Sequence, residues 1–279
     1  MTVSNTNGKL ATVSSSTRSL EAIRAHELHQ IPTLIPPASR VLEIGAGARW
    51  QSRELANWGH AVKAIDVAGS SYAGMRVWPV HEYDGFCIPF ADSCFDVVFS
   101  SNPLEHIHHV EEFQYEIRRV LAPNGVAIHV LPTGTWRWWS NIAHHLFVTR
   151  AALVHFGVCR TNEPEPAIAV ATAKARAKNT FWSLARRVLF PPRHGESGNA
   201  LSEIWLFSSL CWRRLFAKKG WMMERMISMQ LFCTGYAVLA AKLTIRQRPN
   251  LSHLLGSSAV AYVLRTTDRT NEGRAACEN

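Results

Sequence analysis

Apolar positions recur along this chain with two periods, and the alternation between them sets out an α/β order. The runs 41–44, 61–65 and 95–100 are short, β-branched or aromatic, and bounded by turn residues, as buried strands are. By contrast Val110, Phe113, Ile117, Val120 and Leu121 return every three or four residues. Glu111 and Glu112 open that stretch and Arg118 and Arg119 close it, which suits a helix macrodipole. The full reading is a helix over 19–30, a strand over 41–44 and a helix over 51–58 with Gly59 as its C-cap. Strands over 61–66, 76–83, 95–100 and 126–131 follow. The end of the chain reads as a helix over 208–219 capped by Gly220, a strand over 221–232, a basic link over 246–249 and a last strand over 258–266. Pro79 inside the third strand places that strand at a sheet edge, because proline cannot donate to a ladder.

The first strand runs into Gly45-Ala46-Gly47 and then a helix. Glycines in such a turn let the backbone pass close to a ligand, and the helix N-terminus beyond it presents free N–H groups. The second strand ends in Asp66 at the carboxyl edge of the sheet, where a carboxylate can accept both hydroxyls of a ribose. A dinucleotide fingerprint needs a third glycine where Trp50 stands, so NAD is disfavoured. Glu43 points the same way, since an acid repels a pyrophosphate but suits a cationic amino-acid group.

The run Glu43-x-Gly45-x-Gly47 followed by Asp66 resembles motif I and the next acidic residue of the class I S-adenosylmethionine-dependent methyltransferases. Arg49 replaces that family's usual third glycine. A second resemblance lies in Asp84-Gly85, then Ile88-Pro89-Phe90-x-Asp92-x-x-Phe95-Asp96-Val97-Val98, then Ser101-Asn102 and Leu104-Glu105-His106. This order is similar to the small-molecule and lipid branch, the methyltransferase type 11 family. The likeness implies a Rossmann-like doubly wound sheet, mostly parallel with an antiparallel last strand, and S-adenosylmethionine as cofactor. It implies a cofactor site made of Glu43, Gly45, Ala46, Gly47, Asp66, Asp84, Gly85, Phe86, Ser101 and Asn102. Asp84 would accept from the adenine amino group, backbone at Gly85 or Phe86 would read a ring nitrogen, and Ser101-Asn102 with the Leu104–His106 turn would floor the pocket.

Residues 1–18, rich in Ser, Thr and Asn, read as a disordered tail. The methyltransferase domain then takes 19–132 and 208–279, and 133–207 is an inserted helical cap. Between Thr133 and Arg225 there are 14 Lys or Arg against 5 Asp or Glu, and seven of the ten tryptophans lie there too. The net charge of +9 therefore belongs to one region, and so does the partner it implies. Within it, 181–190 places apolar side chains on one helical face and Arg186 and Arg187 on the other. The basic run Lys174, Arg176, Lys178 precedes it, which is the pattern of a helix lying on an anionic membrane surface. The insertion also resembles, through Pro132-Thr133-x-x-Trp136-Arg137-Trp138-Trp139 and Arg193-His194-Gly195-Glu196, bacterial methyltransferases with cell-surface polysaccharide functions.

The six cysteines are scattered without C-x-x-C or zinc-type histidine spacing, so the expectation is a reduced, cytoplasmic chain with no metal, and the amphipathic stretch over 181–190 adds a peripheral place on the inner membrane face. Methyl transfer needs a base only when the acceptor must lose a proton. His106, His108 and His109 are the candidates, and His106, following Glu105 beyond the central strand, is the first choice. The acceptor class is a small molecule, a glycan or a lipid-linked species. Two rival readings remain open: an RNA methyltransferase, from the basic and Trp-rich insertion, and a module that binds the cofactor without turnover.

Overall fold

The computed structural model describes residues 21–47, 50–70, 77–155, 190–234 and 243–266. Seven strands form one sheet in the order β3-β2-β1-β4-β5-β7-β6. They are β1 (Arg40–Ile44), β2 (Ala61–Val67), β3 (His81–Tyr83), β4 (Phe95–Ser101), β5 (Leu121–Pro132), β6 (Trp221–Ser228) and β7 (Ala259–Thr266). Strands β1 to β5 pair in parallel, and β7 runs antiparallel to both β5 and β6. This is the expected Rossmann-like sheet. The chain travels outward from β1 through β2 to the edge strand β3, then returns to β4 on the other side of β1. A crevice opens beyond the carboxyl ends of strands at such a reversal.

The helices are α1 (described over 21–28), α2 (Trp50–Asn57), α3 (Val110–Val120), α4 (Gly134–His155), α5 (Ser202–Leu206), α6 (Ser209–Lys218) and α7 (Arg248–Leu255). Strand alternation delivers side chains to both faces of the sheet. On one face Leu42, Ile44 and Val98 pack with Phe113 and Ile117 of α3 and with Trp212 and Phe216 of α6. On the other, Val41, Val97 and Phe99 pack with Leu28, Ile31 and Leu55. Each large apolar side chain so buried stabilises the fold by roughly 1.5–3 kcal/mol. The layer that carries the site is therefore clamped from both sides.

Some boundaries differ from the pattern, each for a physical reason. Strand β3 keeps only His81–Tyr83 of the expected run, because Pro79 has no N–H to give to β2. Strand β6 ends at Ser228, and the apolar residues beyond it, Met229, Leu231 and Phe232, are buried outside the sheet. The basic link is a helix, α7. Pro249 sits in its first turn, where no N–H is needed, and Arg248 is buried with its guanidinium donating to the carbonyls of Phe232 (3.0 Å) and Leu243 (3.3 Å). Cys94, Cys211 and Cys233 are free thiols. Cys87 is disulfide-bonded, against the expectation of a fully reduced chain. The tail 1–18, the basic run 174–178 and positions 181–189 of the amphipathic stretch lie outside the described residues.

Helix α4 is tied down at its start. Thr133 accepts from the Trp136 amide through its hydroxyl (3.0 Å) and donates to the Ser257 carbonyl (2.6 Å). Trp139 donates to the Leu255 carbonyl (3.0 Å), and Asn141 to that of Ala200 (2.7 Å). Gly134 lies against the Ile204 carbonyl, where a β-carbon has no room. The start of α4 is thus fastened to α5 and α7.

Candidate active site at the carboxyl edge of the sheet

The β1 turn is shaped from beneath. Gly45 has φ +70°, and its amide and that of Ala46 both donate to the Ile65 carbonyl, at 2.9 and 3.1 Å. A β-carbon on Gly45 would collide with the Pro103 ring. The turn after β4 presses on this residue and demands glycine, a reason that stands beside the ligand approach expected from sequence. Gly47 also has positive φ, +49°. Glu43 is 1% exposed and accepts a hydrogen bond from the Ser52 hydroxyl, which joins β1 to α2. Burial, with the Asp66 carboxylate a smaller cause, pushes its carboxyl up to about 7.

Asp66 stands where β2 ends. Its Oδ1 accepts from the Val67 amide (3.0 Å), while its buried Oδ2 has no hydrogen-bond partner among the described residues. Buried carboxylate oxygens are costly when unpartnered, so this one marks a place for a donor. Asp84 follows β3 and is exposed. Its Oδ1 accepts from the amides of Phe86 (2.7 Å) and Cys87 (3.0 Å) in an Asx turn. The Phe86 amide, expected to read a ligand ring nitrogen, is therefore spent inside the turn. The Phe86 ring stacks on His109 at 4.1 Å between centroids and 5° between planes, and His109 Nε2 contacts the Gly85 carbonyl at 2.9 Å. That histidine steadies the turn. Asn102 has φ +59° and donates its amide to the Val130 carbonyl (2.8 Å), and its side-chain amide reaches the Ser101 hydroxyl at 3.3 Å.

The loop carrying Ile88 and Phe90 is held to α3 through charge. Arg119 donates to the carbonyls of Phe90 and Ile88, each at 2.8 Å, and Glu116 accepts from the Ile88 amide at 2.9 Å. The motif Ile88-Pro89-Phe90 is thereby locked beside the site rather than exposed as a free loop.

Beyond Pro103 comes a single turn of 3-10 helix, Leu104–His106. Glu105 is buried, neither of its carboxyl oxygens has a hydrogen-bond partner among the described residues, and burial pushes it up to about 7. His106 sits beside it, Nε2 to Oε1 3.9 Å, with its pKa lowered first by burial. Facing both is His194 from the stretch before α5, its ring 4.9 Å from that of His106 and 4.6 Å from that of Trp136. One edge of His194 is open to solvent, yet the rings of His106, Trp136 and Phe207 around it withhold water, and desolvation brings its pKa down to about 4. At neutral pH this imidazole is uncharged. His108 instead lies outside, 3.1 Å from Glu196.

His194 is placed by a buried ion pair. Arg137 Nε lies 2.7 Å from Glu203 Oε2, and its Nη2 donates to the Pro192 carbonyl at 2.6 Å. The other Glu203 oxygen accepts from the amides of His194 and Gly195, each at 2.8 Å. Glu196 then donates its amide to the Glu105 carbonyl (3.0 Å), and a β-carbon on Gly195 would stand 2.8 Å from that carbonyl oxygen. The motif Arg193-His194-Gly195-Glu196 is visible in the sequence, but no role for His194 is legible from it. The signal was a histidine before a glycine, but nothing local says what such a glycine must approach.

Residues 42–129 match the family model described as "Methyltransferase domain". A stretch of 159 residues is 31% identical to the biotin biosynthesis bifunctional protein BioHC of Cellvibrio japonicus, covering 53% of this chain and 32% of that protein. Another of 93 residues is 37% identical to the demethylmenaquinone methyltransferase of Corynebacterium efficiens, covering 33% of this chain and 40% of that protein. The chain thus aligns with well under half the length of either relative. Among solved structures it is similar to a chain of the complex between the Haloferax volcanii Trm112 methyltransferase activator and a methyltransferase, with TM-score 0.51, 13% identity, and 89% and 90% of the two chains covered. A structure assigned as an S-adenosylmethionine-dependent methyltransferase of Listeria monocytogenes gives TM-score 0.50, 14% identity, and 89% and 99% covered. At these identities the structural likeness speaks for the fold alone.

Proposed function

We propose that the chain, whose residues 42–129 match a methyltransferase domain, is a class I S-adenosylmethionine-dependent methyltransferase that transfers a methyl group from that cofactor to a small-molecule, glycan or lipid-linked acceptor. The observation that carries the reading is the buried Oδ2 of Asp66, without a hydrogen-bond partner among the described residues, at the carboxyl end of β2 beside the β1 turn. A ribose hydroxyl is the donor that such an oxygen lacks. Glu43 supports it. A carboxyl held near neutrality by burial becomes a full carboxylate beside a cation, and the cofactor brings both an ammonium and a sulfonium. Asp84 offers the oxygen left outside its Asx turn.

The cofactor supplies an electrophilic methyl on sulfur, and the residues of this chain supply position and dryness. Asp66 and Glu43 would hold the cofactor, and the Asn102-Pro103 turn, braced against Gly45, would floor its site. With no metal bound, His106 and His194, both with lowered pKa, are bases available at neutral pH for an acceptor that must lose a proton.

The relatives bear on the acceptor class only as likeness, since the Corynebacterium protein is by name a demethylmenaquinone methyltransferase. A lipid-linked acceptor is further supported by the exposed apolar side chains Trp138 and Leu146 on α4 and Trp205 on α5. No described helix is long and apolar enough to cross a membrane, so any contact through these residues is at the surface. The reading is tested by calorimetry with S-adenosylmethionine, then by incubating the chain with methyl-labelled cofactor and cell extract split into lipid, glycan, RNA and protein fractions. Label in the lipid, glycan or small-molecule fraction is expected. Label in RNA would favour the rival enzyme, and binding with no label in any fraction would favour a module without turnover.

A further inference from the structure

Glu105, His106 and His194 each offer one ligand-type atom, and these atoms lie within 4.8 Å of one another. We propose that these three side chains form a binding site for a divalent transition-metal ion. Two atoms that each sit about 2.1 Å from one ion are at most ~4.2 Å apart. The Glu105–His106 separation of 3.9 Å already meets that limit. The remaining closure is a small rotation of His194, whose exposed edge leaves it room to turn.

The second observation is Glu105 itself. It is 7% exposed overall, its side chain is wholly buried, and neither oxygen has a hydrogen-bond partner among the described residues. A carboxyl kept dry, unpartnered and facing two imidazoles is a costly arrangement for a purely structural residue. A cation at that point satisfies it. The neighbouring positive charges are already answered: Arg24 pairs with Glu27 at 2.6 Å, and Arg137 with Glu203 at 2.7 Å.

The loop geometry builds the site rather than merely passing it. The Arg137–Glu203 pair fixes the amides of His194 and Gly195. Gly195 permits the approach to the Glu105 carbonyl, and the Glu196 amide closes it with a hydrogen bond of 3.0 Å. Metal ligands need such outer support to hold their rings in place.

Two imidazole nitrogens and one carboxylate oxygen select zinc, cobalt, iron or manganese over magnesium and calcium, which prefer all-oxygen shells. Three protein ligands leave at least one position open, and an oxygen-bearing ligand is what fills such a position. That this ligand is the methyl acceptor rests on the methyl-transfer reading, whereas metal binding does not. The two are therefore tested apart, without S-adenosylmethionine.

The experiment is titration of the full chain, stripped by chelator, with zinc alone, and with cobalt as a visible-absorbing probe. One equivalent of zinc is expected to bind near neutral pH, unaffected by excess magnesium. Cobalt should give a d–d spectrum without a thiolate band, since no cysteine is in the set. His194→Ala and His106→Ala should each weaken zinc by roughly tenfold or more, and Glu105→Gln likewise, while His145→Ala changes nothing. His194 and His106 have exposed edges, so their variants keep the fold, which unchanged circular dichroism checks. Failure of the parent to take up zinc, or equal zinc affinity in His194→Ala, overturns the site.

Discussion

Arg137 of α4 and Glu203 of α5 form an ion pair of 2.7 Å with side chains only 4% and 0% exposed. Both ends of the pair also grip one loop, Arg137 at the Pro192 carbonyl and Glu203 at the amides of His194 and Gly195. Removing one partner leaves a buried charge unanswered, so Arg137→Ala should cost about 3–5 kcal/mol in urea unfolding. The double change Arg137→Met, Glu203→Leu should cost less than the two single changes added together. Strict additivity in that cycle would mean that the pair is not coupled.

Asp66→Asn keeps the shape of the β2 end and removes the charge from the unpartnered oxygen. Hydrogen bonds to a charged group contribute about 1.5–3 kcal/mol. Affinity for S-adenosylmethionine should therefore fall roughly ten- to a hundredfold with the melting temperature little changed. Calorimetric affinity equal to that of the parent would remove Asp66 from the cofactor site.

Gly45→Ala brings together a positive φ of +70° and a collision with Pro103. Strain of this kind costs on the order of 1–3 kcal/mol. Because the collision is with a side chain, Pro103→Ala in the same chain should restore part of the loss, while the φ penalty remains. A double variant no more stable than Gly45→Ala would show that the proline is not what demands glycine.

His129 is fully buried on β5, 2.7 Å from the Ser100 hydroxyl, and burial lowers its pKa from 6.5 to about 3. Between those two values the unfolded chain binds the proton and the folded chain does not. Stability from this group therefore rises with pH through the window and is complete above 6.5. Glu43 and Glu105, raised to about 7, act in the opposite sense from 4.5 upward. In His129→Gln the acid limb of stability against pH should flatten by a few kcal/mol. Denaturant midpoints measured across the window check this, and an unchanged slope would assign the acid limb to other groups.

If α4 meets a bilayer through Trp138 and Leu146, the chain should float with anionic vesicles at low salt. The variant Trp138→Ser, Leu146→Ser should remain at the bottom of the gradient. Both side chains are exposed, so the substitution costs little stability.

The sequence by itself determined the order of strands and helices around β1 and β4, the edge position of β3, and Asp66 at the end of β2. Each follows from a local cause: a hydrophobic period, a proline without a donor, or a carboxylate one residue past an apolar run. Helix α7 was hidden because a buried arginine reads as a solvated one until Phe232 and Leu243 are seen to accept from it. Tertiary structure alone decided why Gly45 is glycine, since Pro103 reaches it from the turn after the neighbouring strand β4. It alone brought His194 onto Glu105 and His106. That meeting depends on a buried ion pair between α4 and α5 and on a glycine under a distant carbonyl, and contacts between remote segments leave no period or spacing in the chain.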